Sequence, residues 1–194
     1  MAQEEDEPFR SQHWEILDRQ QVLDGSPWIR VFRETLRLPN GSLVDDFYSI
    51  ETHEFVVVVS FPNDGQMLLL RQYRHGPREV VCNFPAGYIK PDETPLQAAR
   101  RELLEETGYH GGRWESLGAF VVDGNRGNGR AHFFLAQGVT RLQEPCSGDL
   151  EEQEVLLMSP PDFYQAIREN RIKTLPTTCA FLLVWCKLNL EAST

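Results

Sequence analysis

The densest chemistry in the chain lies in residues 87–109, GYIKPDETPLQAARRELLEETGY. Four carboxylates, Glu93, Glu102, Glu105 and Glu106, fall close together there. The surrounding residues predict that three of them ride on one helix. Thr94 suits the N-cap, Pro95 the first helical position, and Gln97 completes a capping box with Thr94. Leu96, Ala99 and Leu103 recur at i, i+3 and i+7 and make an apolar face. Gly108 suits the left-handed residue that ends a helix. At about 100° per residue, Glu102 and Glu106 are neighbours on one face, and Glu105 is a turn from Glu102. Like charges so placed repel, and Arg100 and Arg101 offset only part of that. A cluster of hard oxygen ligands suits Mg²⁺ or, in its place, Mn²⁺. Such ions serve the attack of water on phosphorus.

The full spacing resembles the Nudix box: Gly87, five residues, Glu93, seven residues, then Arg101-Glu102-Leu103-x-Glu105-Glu106-x-Gly108-Tyr109. Every position of the pattern is filled, with Tyr109 aromatic where an aliphatic residue is commoner. The resemblance implies hydrolysis of a phosphoric anhydride and an α/β fold, the Nudix α-β-α sandwich with a mixed sheet. It implies metal ligation by Glu102, Glu105, Glu106 and the carbonyl of Ala86. It also implies structural support of the box by Gly87, Glu93, Arg101 and Gly108, with Glu93 and Arg101 paired. A second acidic stretch, 147–154, would supply a loop acid as general base or further ligand; Glu151 is the first choice there, with Asp149 and Glu152 as competitors.

RQYRHGPREVVCNFPAGYIKPDETPLQAARRELLEETGY resembles the ADP-ribose pyrophosphatase branch of that family. The implied substrate is a nucleoside diphosphate sugar, ADP-ribose first, cleaved to AMP and ribose 5-phosphate, and the implied assembly is a homodimer joined through an N-terminal sheet. Arg74 matches a phosphate-contacting arginine. Trp28 matches an aromatic position that stacks on adenine, and stacking needs only a flat π-face. Three positions depart from the branch: Gly124 stands for a proline, Gly129 for a glutamate, and Asn83 for the glutamate before Leu-Pro-Ala-Gly. They keep ADP-glucose and GDP-mannose open as substrates. Arg126 and Arg130 are candidates for binding the terminal group. From another class, a non-catalytic nucleotide-sensing Nudix module is the rival, although such modules tend to lose box acids that are all present here.

Elements to carry these residues are legible on both sides of the box. Residues 1–13 look flexible, 14–51 form an N-terminal sheet expected to dimerise, and 52–194 form the Nudix hydrolase domain. A short strand at 21–23 is expected before an antiparallel hairpin, 28–38 with 43–51, turning at Asn40-Gly41. Strands follow at 53–61, 66–73, 79–84, 114–122, 131–138 and 155–158. Helices are expected from Pro161 to about Asn170 and from Thr177 to Leu190. Between two strands, residues 123–130 hold three glycines and two arginines and read as a flexible cationic loop.

The 194 residues carry a net charge of −10, which disfavours a basic nucleic-acid surface. No apolar run reaches the length of a membrane span. The first residues are acidic and polar, unlike a signal or transit peptide. The four cysteines, Cys82, Cys146, Cys179 and Cys186, lack zinc-like spacing and read as reduced core thiols. Cytoplasm is the expected compartment. The histidines His53, His75, His110 and His132 show no metal spacing.

Overall fold

The computed structural model describes residues 13–62, 65–148 and 153–191. The chain divides into two compact units: residues up to His53 with Val121–Gly129, and Glu54–Phe120 with Arg130 onward.

The first unit is a three-stranded antiparallel meander of β1 (Glu15–Gly25), β2 (Ile29–Arg37) and β3 (Leu43–Thr52), with β2 central. The expected hairpin is β2–β3, but β1 extends the expected 21–23 strand to eleven residues. Its sequence hides it, because every residue but Gly25 is exposed and no alternation develops. Register shifts between Ile16 and Asp18 and between Gln21 and Leu23 break the period of two. A polar cluster binds the sheet: Arg19 donates to buried Glu34 (3.0 Å) and to Glu51 (2.6 Å), Ser49 donates to Glu34 (2.6 Å), and the Arg19 guanidinium lies 3.6 Å over the Phe32 ring.

The second unit shows why its strands are near-continuously apolar. β4 (Phe55–Phe61) pairs in parallel with β10 (Arg130–Gln137) and antiparallel with β7 (Ala86–Tyr88), while β9 (Arg113–Val121) flanks β10. A second sheet sets β5 (Met67–Arg74) between β6 (Glu79–Asn83) and β12 (Glu154–Met158). Successive side chains of a strand point to opposite faces. Val57, Val59, Met67, Leu69, Phe133 and Leu135 therefore enter one core with Phe163 of α2 (Pro160–Arg168) and Phe181 of α3 (Leu175–Glu191). Val56, Val58, Leu68 and Phe134 enter the other with Ala98, Ala99 and Leu103 of α1 (Pro95–Thr107). Strands buried on both faces have no polar side to show.

α2 and α3 start earlier than expected, at Pro160 and Leu175, because proline lacks only an N–H that the first turn does not use. The sequence reading also missed β8 (Tyr109–His110) with β11 (Thr140–Arg141). Gly108 (φ 77°) ends α1 against the backbone of Gln143, and its carbonyl accepts from Leu142 N (2.8 Å). All four cysteines are free thiols, but only Cys82 and Cys179 are half-buried, and burial pushes both thiols up. Cys146 and Cys186 are exposed, so the core assignment fails for these two. Among the described residues, no helix is long and apolar enough to cross a membrane.

Candidate active site

Helix α1 begins as its sequence dictates. Thr94 Oγ1 accepts from Gln97 N (3.3 Å), and Gln97 Oε1 accepts from Thr94 N (2.8 Å). Ala98, Ala99 and Leu103 are fully buried, which fixes how the helix is turned. That rotation distributes the acids by depth. Glu106 is 2% exposed, whereas the Glu102 and Glu105 side chains are 12% and 37% exposed.

Two of the acids reach strand β7, which precedes the helix. Glu106 Oε2 accepts a hydrogen bond from Ala86 N (2.8 Å). The Glu102 carboxylate lies against Gly87 so closely that a Cβ there would overlap it. Glycine here thus makes room for the acid and is not called for by an unusual φ. In this way α1 and β7 bring Glu102, Glu106 and the Ala86–Gly87 backbone to one place.

Arg101 organises the remaining charge. Its Nε and Nη2 donate to the two oxygens of Glu93 (2.6 and 2.9 Å), Nη2 also to Tyr88 O (3.0 Å), and Nη1 to Glu102 (2.6 Å) and Glu105 (3.1 Å). This is a fork-to-fork pair with a neighbour on each side. The Arg101 hydrogen bonds, with a weaker one from Lys90 N (3.2 Å), hold the Glu93 carboxyl at about 2, below its ordinary 4.5; Arg101 is raised in turn. Arg100 does not share the task, because its guanidinium lies 5.8 Å over the Trp114 ring. Three carboxylates, Glu93, Glu102 and Glu105, therefore face one guanidinium.

A folded-state pKa below the unfolded one means that the charged Glu93 stabilises the fold above about pH 4.5 and that this support is lost as pH falls toward 2. Glu93→Gln is expected to lower the thermal midpoint at pH 7 and to flatten its decline between pH 4.5 and 2. Parallel midpoint-against-pH curves for both proteins would remove Glu93 from that role.

The residues present fit a divalent cation. The donors are all oxygen, the local charge is in excess, and two carboxylates already meet the adjoining backbone, Glu106 at Ala86 and Glu102 at Gly87. Among the described residues, no three metal-capable side chains stand together as a ready cluster, and Arg101 holds both Glu102 and Glu105. The loop acids Asp149, Glu151 and Glu152 lie outside the described residues.

Other candidates are placed separately. Arg74 ends β5, and by strand alternation it shares a face with Leu68, which packs with α1. Gln72, on the same face and missed by the sequence reading, meets the Arg74 side chain. Arg130 is exposed at the start of β10. In the first unit, Trp28 is 63% exposed and sits edge-to-face with His53 (5.8 Å). Arg126 is in that unit too, in a loop that is a hydrogen-bonded turn, not the flexible segment expected. Asp123 accepts from Asn125 N (2.9 Å) and Arg126 N (3.1 Å), Arg126 O accepts from Ile50 N (2.9 Å), and Asn128 Oδ1 accepts from Thr52 Oγ1 (2.9 Å). These backbone donors, that of Arg126 foremost, hold the Asp123 carboxyl below the usual range, and the Arg126 side chain also reaches it (3.4 Å). His132 pairs with Glu54 (2.6 Å) and takes no part in the acidic cluster.

Residues 51–177 match the family described as NUDIX domain. The chain belongs to the Nudix family. Residues 14–50 match a second description, the nucleoside diphosphate sugar hydrolase N-terminal domain. Among curated relatives, an ADP-ribose pyrophosphatase of Bacillus subtilis (strain 168) is 25% identical over 185 residues, 95% of this chain and 99% of that protein. A GDP-mannose pyrophosphatase of Pectobacterium atrosepticum is 26% identical over 84% of this chain and 83% of its own length. A solved structure titled as an ADP compounds hydrolase superposes with a TM-score of 0.79 at 20% identity, covering 94% of this chain and 98% of that one. The Nudix α/β fold is thus shared, and the Nudix box of this chain is the Gly87–Tyr109 stretch with its acids intact.

Proposed function

We propose that this Nudix hydrolase cleaves the diphosphate of a nucleoside diphosphate sugar, ADP-ribose first, to AMP and ribose 5-phosphate. The observation that carries the reading is the meeting of Glu102 and Glu106 with the Ala86–Gly87 backbone of β7 in an intact box. The match of residues 14–50 to a nucleoside diphosphate sugar hydrolase N-terminal domain and the near-full-length ADP-ribose pyrophosphatase relative support the substrate class. Glu102, Glu105, Glu106 and the Ala86 carbonyl would hold Mg²⁺, or Mn²⁺ in its place. Such an ion, when bound, neutralises phosphate charge and acidifies water. Arg101, with Glu93, keeps the carboxylates on one face of α1. Arg74 binds a phosphate oxygen, Trp28 stacks on the nucleobase, and Arg126 and Arg130 serve the terminal group. Glu151, with Asp149 and Glu152 beside it in sequence, takes the proton of the attacking water. The water oxygen joins one phosphorus and the bridging oxygen leaves with the other.

A second reading, GDP-mannose or ADP-glucose, is favoured by Gly124, Gly129 and Asn83 and by the GDP-mannose pyrophosphatase relative. Rates on ADP-ribose, ADP-glucose, GDP-mannose, NADH and 8-oxo-dGTP, with Mg²⁺ and with Mn²⁺, separate the two. ADP-ribose is expected to lead in kcat/KM by about tenfold, a transition-state preference of ~1.4 kcal/mol. A lead for GDP-mannose transfers the assignment. Tight ADP-ribose binding without turnover under either metal gives the chain to the nucleotide-sensing class.

The 14–51 sheet is proposed to join two copies. Its edge strand β1 is exposed at every residue but Gly25 and, with Trp14 just before it, shows Ile16, Leu17, Val22 and Leu23 to solvent, a surface that invites pairing. Sedimentation is expected to give twice the 22.3 kDa chain mass at micromolar concentration; a single 22.3 kDa species would refute it. Free thiols and a nucleotide-sugar substrate fit the cytoplasm.

A further inference from the structure

Gln72 is out of place by composition. It follows Met67, Leu68, Leu69 and Leu70, each fully buried, and is itself only 2% exposed. It lies in the central strand of its sheet, opposite Val81 of β6. A buried amide in such a strand is unfavourable unless partners satisfy it. With its oxygen turned toward Arg74, Gln72 accepts from Arg74 Nη2 (2.7 Å) and Nε (3.3 Å). Its nitrogen then faces the side-chain amide of Gln153 (3.1 Å). Residues two apart on a strand share a face. The register that pairs Glu154 with Arg71 sets Gln153 opposite Gln72. One buried amide thus lies between the arginine at the end of β5 and the residue just before β12.

The geometry has a consequence for charge. Two adjacent donors of the guanidinium are held by a neutral acceptor. The hold fixes the plane of the group without cancelling its charge, and among the described residues no other side chain takes its remaining N–H groups. Arg71 shows the contrast: it points to the other face and is paired with Glu154 at 3.0 Å. A carboxylate in place of Gln72 would turn Arg74 into a second structural ion pair. A hydrocarbon would leave a long, rotatable side chain to be ordered by substrate at an entropic cost.

We propose that Gln72 is a positioning residue, a neutral buried clamp that presents the Arg74 guanidinium to a diphosphate oxygen. The inference rests on the assignment of Arg74 to phosphate binding, and a double-mutant cycle tests the two separately. Steady-state constants are read on the sugar nucleotide that leads the substrate panel. Arg74→Ala is expected to raise KM by more than about tenfold. Gln72→Met, close in volume and without the acceptor, is expected to raise KM about tenfold with kcat within about threefold. In the Arg74→Ala background the same change should move KM less than about twofold, because its target is gone. A purely structural role would instead lower the active fraction and the thermal midpoint in both backgrounds and leave KM alone. Gln72→Glu retains an acceptor and should keep the midpoint. By neutralising Arg74 it should still raise KM, and the rise should again vanish in the Arg74→Ala background. This second variant decides the matter if Gln72→Met does not fold. An unchanged KM for Arg74→Ala overturns the phosphate role and the clamp together. A raised KM for Arg74→Ala, with Gln72 effects that are absent or fully additive, overturns the clamp alone.

Discussion

Glu106→Gln is expected to lower kcat by at least about 10³-fold while the fold stays intact, which corresponds to about 4 kcal/mol of transition-state stabilisation. The argument begins with burial. Glu106 is 2% exposed, so its carboxylate acts in a medium that screens it weakly. Its Oε2 accepts from Ala86 N, and that bond ties α1 to β7, the strand carrying the box glycine. A glutamine carbonyl accepts the same bond, so the tie survives substitution. What the amide removes is the negative charge and the second anionic oxygen that a hard cation takes. Circular dichroism and a thermal midpoint within about 3 °C of the parent would establish the fold. Near-normal turnover in a folded variant would sink the placement of Glu106 at the centre of catalysis.

Gly87→Ala is expected to reduce kcat/KM by about 10²-fold or more, although it adds a single methyl group. A Cβ on Gly87 would occupy space held by the Glu102 carboxylate. Either the acid must turn away or β7 must leave its pairing with β4, where Gly87 lies opposite Val56. Moving the acid is easier, since the strand is fixed by a ladder and the side chain is not. The variant should therefore fold and lose the alignment of Glu102 with Glu106. The comparison is Gly76→Ala, where a Cβ meets nothing within 4 Å, and a change within about twofold is expected. Mn²⁺ titration of both variants adds a readout independent of turnover. Equal affinity and equal kcat/KM for the two would show that Glu102 tolerates the methyl group.

Much of this protein is legible in its sequence. The capping pair Thr94 and Gln97, Pro95, the apolar spacing and Gly108 defined the acidic helix, because capping and helical periodicity are local properties. The runs at Val56–Val59 and Met67–Leu70 announced strands buried on both faces, since a two-sided core leaves no polar position in the period of two. The edge strand β1 was legible only at 21–23, because strand pairing with β2 does not require alternation when both faces meet water and bulges reset the phase.

What the sequence alone determined was the reaction side of the site: which carboxylates share a helix face and what ions they suit. Spacing along a helix decides that, and spacing is written in the chain. Tertiary structure decided the depth and the partners. It placed Glu106 below Glu102 and Glu105, directed Arg100 to Trp114 and Arg101 to four contacts, and set the Glu102 carboxylate against Gly87. It also turned residues 123–129 from an expected flexible loop into a turn held by Asp123, and it joined Gln72 to Arg74 and Gln153. Each of these depends on the approach of segments far apart in sequence, or on a side-chain hydrogen bond that no periodicity encodes.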